Sequence, residues 1–212
     1  MADLGYRAPR FREAQVRVGI IGRIAPEKGH LDFIRAARIL RSSGNDVRFT
    51  IHGAGLFSDP AFERRARELA AGGPVDFCGW SDDISKVLHD LDVLAVPSAA
   101  SEATPRVIME ALSAGTPVVA YTSGGIPEII QDGFTGVLTA AKTHVDLARS
   151  IEDLLADSGR MAALSWNGRR EWERRFRLER FQQEICELLE RRVKKCSQSE
   201  ATAAVGGKGQ FV

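Results

Sequence analysis

The sequence predicts an α/β domain built on a doubly wound parallel sheet with helices on both faces. Two observations support this prediction. Short apolar runs alternate with stretches of helical spacing from Val16 to about Asp157, and 212 residues are enough to bury one such core. Strands that alternate with helices need crossover connections, which are right-handed and make successive strands parallel. In such sheets, ligands bind beyond the carboxyl ends of the strands.

Five short apolar runs have the character of buried strands. They predict strands at Val16–Ile21, Val47–Ile51, Val75–Phe77, Val93–Val96 and Val118–Tyr121. Helical spacing predicts the intervening helices Leu31–Leu40, Pro60–Ala70, Ile84–Leu88 and Pro105–Ala114. Gly136–Ala140 is a candidate for a short extra strand. This alternation is typical of a Rossmann-like sheet, in which all residues that directly follow a strand lie at one edge.

Three C-terminal helices are predicted after the sheet, at about Val145–Ala156, Arg160–Phe176 and Glu179–Val193. The span from Arg169 to Lys195 is rich in Arg and Glu, which favours a solvated helix with ion pairs between residues four apart. Peripheral contact of these basic helices with an anionic membrane surface is the alternative that stays open. Residues 194–212 have little to bury and are expected to form a disordered tail, so the predicted domain comprises residues 16–193.

Composition and charge argue against several classes of protein. The formal net charge is only +1, so no overall field attracts the chain to nucleic acid. No run of about 18 apolar residues is present, and residues 1–15 lack the apolar stretch of a secretory signal. Three scattered cysteines, Cys78, Cys186 and Cys196, match no metal-ligand spacing and indicate free thiols in a reducing compartment. We therefore expect a cytoplasmic protein, with the inner membrane surface as a peripheral location.

Two carboxylates separated by seven residues follow the fourth predicted strand. Thr104 suits the N-cap of the next helix and Pro105 its first position, where a missing N–H costs nothing. The N–H groups and positive dipole end that follow can hold a phosphate. Glu102 precedes this anion site and Glu110 follows it, so the two can bind hydroxyls on opposite sides of one phosphate-bridged ligand. A sugar nucleotide is such a ligand.

Several short motifs together resemble a known family. The Glu-(seven residues)-Glu pattern, followed by Gly115-Thr116-Pro117-Val118-Val119-Ala120, is similar to the donor-binding half of family 4 retaining glycosyltransferases with the GT-B fold. Further matches occur in the family's order, each after a predicted strand: Gly22-Arg23 with Lys28-Gly29, His52-Gly53-Ala54-Gly55, Gly79-Trp80, Pro97-Ser98 and Gly124-Gly125-Ile126-Pro127-Glu128. Each motif alone is weak, but their order, from about Val16 to about Leu189, is specific.

The resemblance implies roles for individual residues. Arg23 and Lys28 would contact the donor diphosphate and stabilise its charge as it departs. Glu102 would bind hydroxyls of the transferred sugar, and Glu110 would bind the ribose hydroxyls, because a carboxylate that accepts two hydroxyl hydrogen bonds is a selective contact. Arg106 is expected near a phosphate. The remaining expected contacts are the backbone at Ala103, Thr104 and Val107, the base-pocket residues His52, Gly53 and Trp80, and Gly125 on the phosphate side.

One position departs from the family's pattern. Ala103 stands where the family usually has Gly after the first Glu, and Thr104 follows it. Because Ala is disfavoured at positive φ, the sugar side of the site is where we expect the geometry to differ.

No metal and no cofactor are implied, and a nucleotide-diphosphate sugar would be the donor substrate. Asp82-Asp83 is the nearest candidate for a metal clamp, and we interpret it as a helix cap. Family members bind the acceptor mainly on a second α/β domain. Residues 1–15 therefore resemble the end of an interdomain linker. The acceptor-binding half is expected to lie outside this sequence or on a partner chain, and a homo-oligomer is also open.

Three functions remain open at this point. The first is the donor-binding half of a retaining hexosyltransferase, for example in polysaccharide biosynthesis, which would be inactive without its acceptor half. The second is a non-catalytic module that binds nucleotide sugars or a partner. The third is a fragment related to GT-B nucleotide-sugar epimerases or hydrolases. The sequence does not identify the base, the sugar or the acceptor.

Overall fold

The central feature of the fold is a parallel sheet. A computed structural model gives the structure of the protein over residues 1–9, 15–44, 46–55, 58–99 and 105–206, with side chains described to residue 192. Within these residues the sheet has six strands, β1 (Val16–Ile21), β2 (Val47–His52), β3 (Val75–Gly79), β4 (Val93–Val96), β5 (Val118–Ala120) and β6 (Val137–Leu138). Their spatial order is β3-β2-β1-β4-β5-β6, and every pairing is parallel. The predicted doubly wound sheet is confirmed.

The helices of the described chain follow the predicted order. They are α1 (His30–Ser42), α2 (Pro60–Ala70), α3 (Ile84–Asp90), α4 (Arg106–Ala114), α5 (Ile126–Ile129), α6 (His144–Ala156), α7 (Ser158–Arg175) and α8 (Leu178–Gly206). A one-turn 3-10 helix, Pro26–Lys28, precedes α1. Side chains of Asp59 and Asp83 accept hydrogen bonds from the first turns of α2 and α3, so Asp83 is the helix cap that the sequence predicts.

Apolar residues on the two faces of the sheet form two clusters. Successive residues of a strand point to opposite faces, so Val18 and Ile20 of β1 join one cluster and Leu94 and Val96 of β4 join the other. Helices α1 and α6 pack together over the first face, and α4 and α7 pack together over the second. Helices on both faces leave the two edges of the sheet, where the strands begin and end, as the places for a site.

The start of α4 differs from the prediction. Pro105 occupies the N-cap, with φ −72° and ψ 94°, and Arg106 is the first helical residue. The extended ψ of Pro105 keeps it outside the helix, while its carbonyl accepts a hydrogen bond from the N–H of Ile108. Thr104, the predicted cap, lies outside the described residues. No side chain of a described residue caps α4, and we call the start of this helix open in that sense.

The last helix is longer than predicted. We expected it to end near Val193 and a disordered tail to follow, whereas α8 continues to Gly206. The sequence from Ser197 to Ala204 contains Gln, Glu and three Ala residues, which favour helix. Residues 207–212 of the expected tail lie outside the described residues. None of the described helices combines the length and apolar character that a bilayer crossing requires.

Residues 1–9 lie against α3, α4 and α7. The carboxylate of Asp3 accepts hydrogen bonds of 2.6 and 2.8 Å from the guanidinium of Arg169, whose side chain is 11% exposed. This contact is the main cause that lowers the pKa of Asp3 to about 2. The backbone N–H of Arg7 donates to the carbonyl of Ala114 at the end of α4. Residues 1–9, the described part of the segment that we expected to be a linker remnant, thus lie on the surface of the domain.

The sequence offers no partner for His30 and predicts a surface or cap residue, whereas the structure buries it. It is the first residue of α1 and has no exposed area, and its ring lies 6.5 Å from the ring of Phe62. Neither ring nitrogen has a hydrogen-bond partner among the described residues. Burial removes the ring from water and lowers the pKa of His30 to about 4, so the folded protein holds it neutral.

We predict that His30 makes the protein sensitive to acid. In the unfolded chain its pKa is about 6.5. The unfolded state therefore binds the proton first as the pH falls, and stability is lost between about pH 6.5 and pH 4. From pH 7 to pH 5 this group should cost about 2 kcal/mol of unfolding free energy. Urea unfolding at both pH values should show a smaller loss in His30→Leu than in the wild type. His144→Gln, which leaves His30 in place, should keep the wild-type loss, and an equal loss in all three proteins would contradict the prediction.

Candidate functional site

A cleft lies at the carboxyl edge of the sheet, between β1 and β4. The connections that follow these two strands run in opposite directions along the sheet. This is the topological switch point, at which open α/β sheets bind ligands. The cleft has a volume of about 580 Å³. The residues that line its described part are Ile21, Gly22, Arg23, Lys28, His52, Gly53, Trp80, Ser81, Asp82, Ile84, Val87, Arg106, Val107 and Glu110.

Close backbone approaches hold the loops around the cleft. At Gly29 φ is 77°, and a Cβ atom there would lie 1.9 Å from the carbonyl oxygen of Pro97. At Gly53 φ is 148°, and a Cβ atom would lie 1.9 Å from the carbonyl oxygen of Gly22. Only glycine fits at either position, because any side chain would strike backbone. The loops after β1, β2 and β4 can therefore lie this close together because Gly29 and Gly53 have no side chains.

Two predicted cations, Arg23 and Lys28, line the cleft from the loop after β1. The guanidinium of Arg23 lies 2.5 Å from the carboxylate of Glu27, and its side chain is 44% exposed. A hydrogen bond from the backbone N–H of Glu27, and then the Arg23 guanidinium, hold the pKa of the Glu27 carboxyl below its ordinary value. The carbonyl of Glu27 also accepts a hydrogen bond from Ala99, which joins this loop to the one after β4.

The first turn of α4 forms another part of the wall. Arg106, Val107 and Glu110 all line the cleft. The Glu110 side chain is 16% exposed, and its carboxylate lies 3.4 Å from the guanidinium of Arg106, which is 79% exposed. Since the helix begins without a side-chain cap from a described residue, its N–H groups and dipole add positive potential next to these side chains.

The wall that follows β2 and β3 is aromatic. Trp80 is 65% exposed, in contrast to a core tryptophan such as Trp172, which is 1% exposed. Trp80 is therefore not a core residue. His52 is half-buried, and burial lowers the pKa of its ring, whose Nε2 lies 3.1 Å from the Thr50 hydroxyl. This side of the cleft offers a flat ring and neutral groups, in contrast to the cationic side.

Some predicted site residues are not among the described residues that line this cleft. Glu102, Ala103 and Thr104 lie outside the described residues, so their predicted roles stay predictions. Gly125 is buried at the start of α5, after β5, and is not among the residues that line the described part of the cleft. The reason is topological, since β5 lies one strand beyond β4 and thus farther from the switch point. The predicted phosphate-side role of Gly125 gains no support from this position.

Sequence reasoning missed several residues of the wall. Ile21, Ser81 and Val87 were not predicted, and Asp82 was interpreted only as part of a helix cap. Nothing in the sequence marks Ile21 and Val87 as site residues, because apolar residues at such positions are usually core residues. Ser81 and Asp82 follow Trp80, which is the first residue after β3. That position after a strand is the signal that could have identified them.

The arrangement is a polarised cleft. Cations and an open helix N-terminus lie on one side, an exposed aromatic ring lies on the other, and a carboxylate stands between apolar residues of α4. These features suit an anionic group, an aromatic ring and hydroxyl donors, which are the three parts of a nucleoside diphosphate. Fold and cleft together define a Rossmann-like domain with a ligand-sized cleft at the switch point of its sheet.

The chain belongs to the family of glycosyl transferases group 1, whose family model matches residues 7–171. The 2-deoxystreptamine glucosyltransferase of Streptomyces kanamyceticus is 34% identical over 160 residues, which are 73% of this chain and 40% of that protein. The D-inositol 3-phosphate glycosyltransferase of Mycobacterium marinum is 33% identical over 157 residues, which are 73% of this chain and 34% of that protein. The chain therefore spans less than half the length of these relatives.

Solved structures of GT-B glycosyltransferases share the fold. The Anabaena protein Alr3699/HepE in complex with UDP-glucose superposes with a TM-score of 0.77 and 29% identity, covering 83% of this chain and 49% of that one. The C-terminal domain of a glycosyl transferase group 1 family protein (LpcC) from Francisella tularensis matches with a TM-score of 0.69 and 23% identity, covering 84% of this chain and 100% of that one. The second likeness shows the fold alone.

Proposed function

We propose that this domain binds a nucleotide-diphosphate sugar and, together with an acceptor-binding part, transfers the hexose with retention of anomeric configuration. One observation carries the proposal: the described cleft places Lys28, Arg23 and the open start of α4 beside Glu110 at the switch point of the sheet. Complexes of Alr3699/HepE with UDP and with UDP-glucose support the nature of the ligand. The complete reaction is a proposal because the chain spans about half of that structure.

The chemistry that this cleft would perform is stabilisation of a leaving group. In the proposed transfer, the bond between the anomeric carbon and the diphosphate oxygen breaks, and that oxygen keeps the electron pair. The acceptor hydroxyl forms the new bond on the same face of the sugar, and its proton passes to the departing diphosphate oxygen. Preorganised cations and helix N–H groups lower the barrier because they bind the departing diphosphate more strongly as its charge develops.

The predicted site residues each have a proposed part in this step. Lys28 and Arg23 bind the diphosphate, and the phosphate competes with Glu27 for the Arg23 guanidinium. Arg106 and the N–H groups of α4 supply further positive potential. Glu110 accepts the ribose hydroxyls, which fixes the position of the nucleotide along the cleft. Glu102 is proposed to bind hydroxyls of the sugar.

The acceptor-binding part is proposed to lie outside this sequence, as a further domain or a partner chain. On this proposal the domain alone binds donor without transferring sugar to an acceptor. A non-catalytic module that binds nucleotide sugars is distinguished by comparing activity with and without the acceptor-binding part. It would bind donor equally well but would stay inactive when the acceptor-binding part is added.

The test of the proposal is Lys28→Ala. Loss of one ammonium group from the diphosphate site should weaken binding of UDP and of inorganic pyrophosphate alike, by about 10-fold, as measured by calorimetry. The matched control is Lys142→Ala, since Lys142 follows the edge strand β6 and is not among the residues that line the described cleft. Raising the salt concentration should reduce the difference between wild type and Lys28→Ala. Equal UDP affinity in wild type and Lys28→Ala would remove Lys28 from the site.

A further inference from the structure

The indole of Trp80 is a large aromatic surface left open on the wall of a concave cleft. It is 65% exposed, although it belongs to the residue type that buries the most area. It lines the cleft beside Ile84 and Val87 at the start of α3, which give that end an apolar floor. An exposed ring in this position is available to stack on another ring.

The backbone at Trp80 is anchored. The carbonyl oxygen of Gly79, the last residue of β3, accepts a hydrogen bond of 2.7 Å from the backbone N–H of Gly53. This bond ties the end of β3 to the loop after β2, where Gly53 approaches Gly22. The peptide that carries the indole therefore has a fixed place at the rim of the cleft, and only the side-chain torsions remain to be set.

The side chain of Asp82 sets those torsions. The indole Nε1–H donates a hydrogen bond of 2.8 Å to Oδ1 of Asp82. A tryptophan side chain has two torsions, so an anchored backbone and one hydrogen bond at the far edge of the ring define the direction of its plane.

Asp82 is not required for the helix that follows. The cap of α3 is Asp83, whose carboxylate accepts a hydrogen bond of 2.9 Å from the N–H of Lys86. The hydroxyl of Ser81 accepts a further hydrogen bond, from the N–H of Asp83. A carboxylate in a cleft for an anionic ligand opposes binding by charge repulsion. A role in orienting the indole accounts for its presence there.

We propose that Asp82 is a positioning residue that holds the Trp80 indole as the stacking wall for the base of the bound nucleotide. This inference rests on the proposed function, because it needs a nucleotide in the cleft. It places the base at the end of β3 and the diphosphate at the loop after β1. Asp82 acts through Trp80, so its effect should be confined to ligands that carry a base.

The test compares Asp82→Ala with Asp82→Asn in a Trp166→Phe background. That background removes the other exposed tryptophan and leaves Trp80 and the buried Trp172 as fluorophores. Asp82→Ala should weaken UDP binding about fivefold, because one hydrogen bond to a charged group is lost. Pyrophosphate binding should not be weakened, and removal of the repelling carboxylate can only strengthen it. Asp82→Ala should also lower the fluorescence anisotropy of the ligand-free protein as the Trp80 ring becomes mobile. Asp82→Asn, which still offers an acceptor, should restore both values.

A double-mutant cycle with Trp80→Phe separates orientation from other effects. Phe keeps a stacking ring but has no N–H, so Asp82→Ala should have no further effect on UDP affinity once Phe is present. The control is Glu68→Ala, an exposed acid in the last turn of α2, at the opposite edge of the sheet, which should match the wild type in UDP affinity.

The outcomes distinguish this inference from the proposed function. If the wild type binds UDP but Asp82→Ala matches it in UDP affinity and anisotropy, the positioning role is wrong and the nucleotide site stands. A loss of pyrophosphate binding, or a full further loss in the Trp80→Phe background, would also overturn it. A wild type that binds none of UDP, GDP and ADP would overturn the proposed function together with this inference.

Discussion

Replacing Glu110 by alanine is expected to weaken UDP binding about 100-fold, because the ribose would lose two charge-assisted hydrogen bonds to one carboxylate. The Glu110 side chain is 16% exposed and lines the cleft behind the open start of α4. Glu110→Gln keeps the shape but removes the charge, and about 10-fold weaker binding is expected of it. Calorimetric titration with UDP measures both effects.

The same variants carry their own controls. Pyrophosphate has no ribose, so its binding should be unchanged in Glu110→Ala, in contrast to Lys28→Ala. 2′-Deoxy-UDP should bind the wild type more weakly than UDP, and this difference should shrink in Glu110→Ala. Urea unfolding should show that both Glu110 variants keep the fold, since the carboxylate reaches only Arg106 among its described contacts. A Glu110→Ala protein with wild-type UDP affinity would contradict the assignment.

Replacing Gly29 by alanine should produce the largest loss of stability. A Cβ atom there would lie 1.9 Å from the carbonyl oxygen of Pro97, and φ at Gly29 is 77°. The left-handed conformation and the clash with backbone together should cost about 3 kcal/mol or more of unfolding free energy. That is a large part of the total stability of a typical domain. Urea unfolding at pH 7 measures this loss.

Gly44→Ala is the matched control for Gly29→Ala. Gly44 also has a positive φ, 83°, but nothing lies within 4 Å of an added Cβ. The Gly44 variant should therefore lose only about 1 kcal/mol, from the backbone conformation alone. The difference between the two variants measures the close approach of the loops after β1 and β4. Equal losses would show that this approach does not hold the cleft together.

The order of the fold was predictable because its signals are local. Val16–Ile21 and Val93–Val96 are apolar runs that only a buried strand accommodates here, and both strands have the predicted bounds. Asp59 before Pro60 marks the start of α2 through capping and proline at the first helical position, and the helix begins there. Residues that follow strands were expected at one edge of the sheet, which agrees with the ligand contacts that the family resemblance implied for Lys28 and Glu110.

The remaining features depend on geometry that periodicity does not describe. His30 comes before the predicted helix Leu31–Leu40, so the apolar pattern does not describe it. Its packing against Phe62 shows that it is buried. The bond from the Trp80 indole to Asp82 joins residues two apart and depends on the backbone turn after β3. Likewise, α8 extends beyond its last apolar helical pattern, and helix propensity, which that pattern does not report, favours this extension.

The central claim is that one cleft at the switch point binds a nucleoside diphosphate. A crystal structure of the protein soaked or grown with UDP tests it most directly. The account predicts the uracil against the Trp80 ring, the ribose hydroxyls at the Glu110 carboxylate, and the diphosphate among Lys28, Arg23 and the first N–H groups of α4. UDP bound at another surface, or an empty cleft at a UDP concentration that saturates binding in solution, would contradict it.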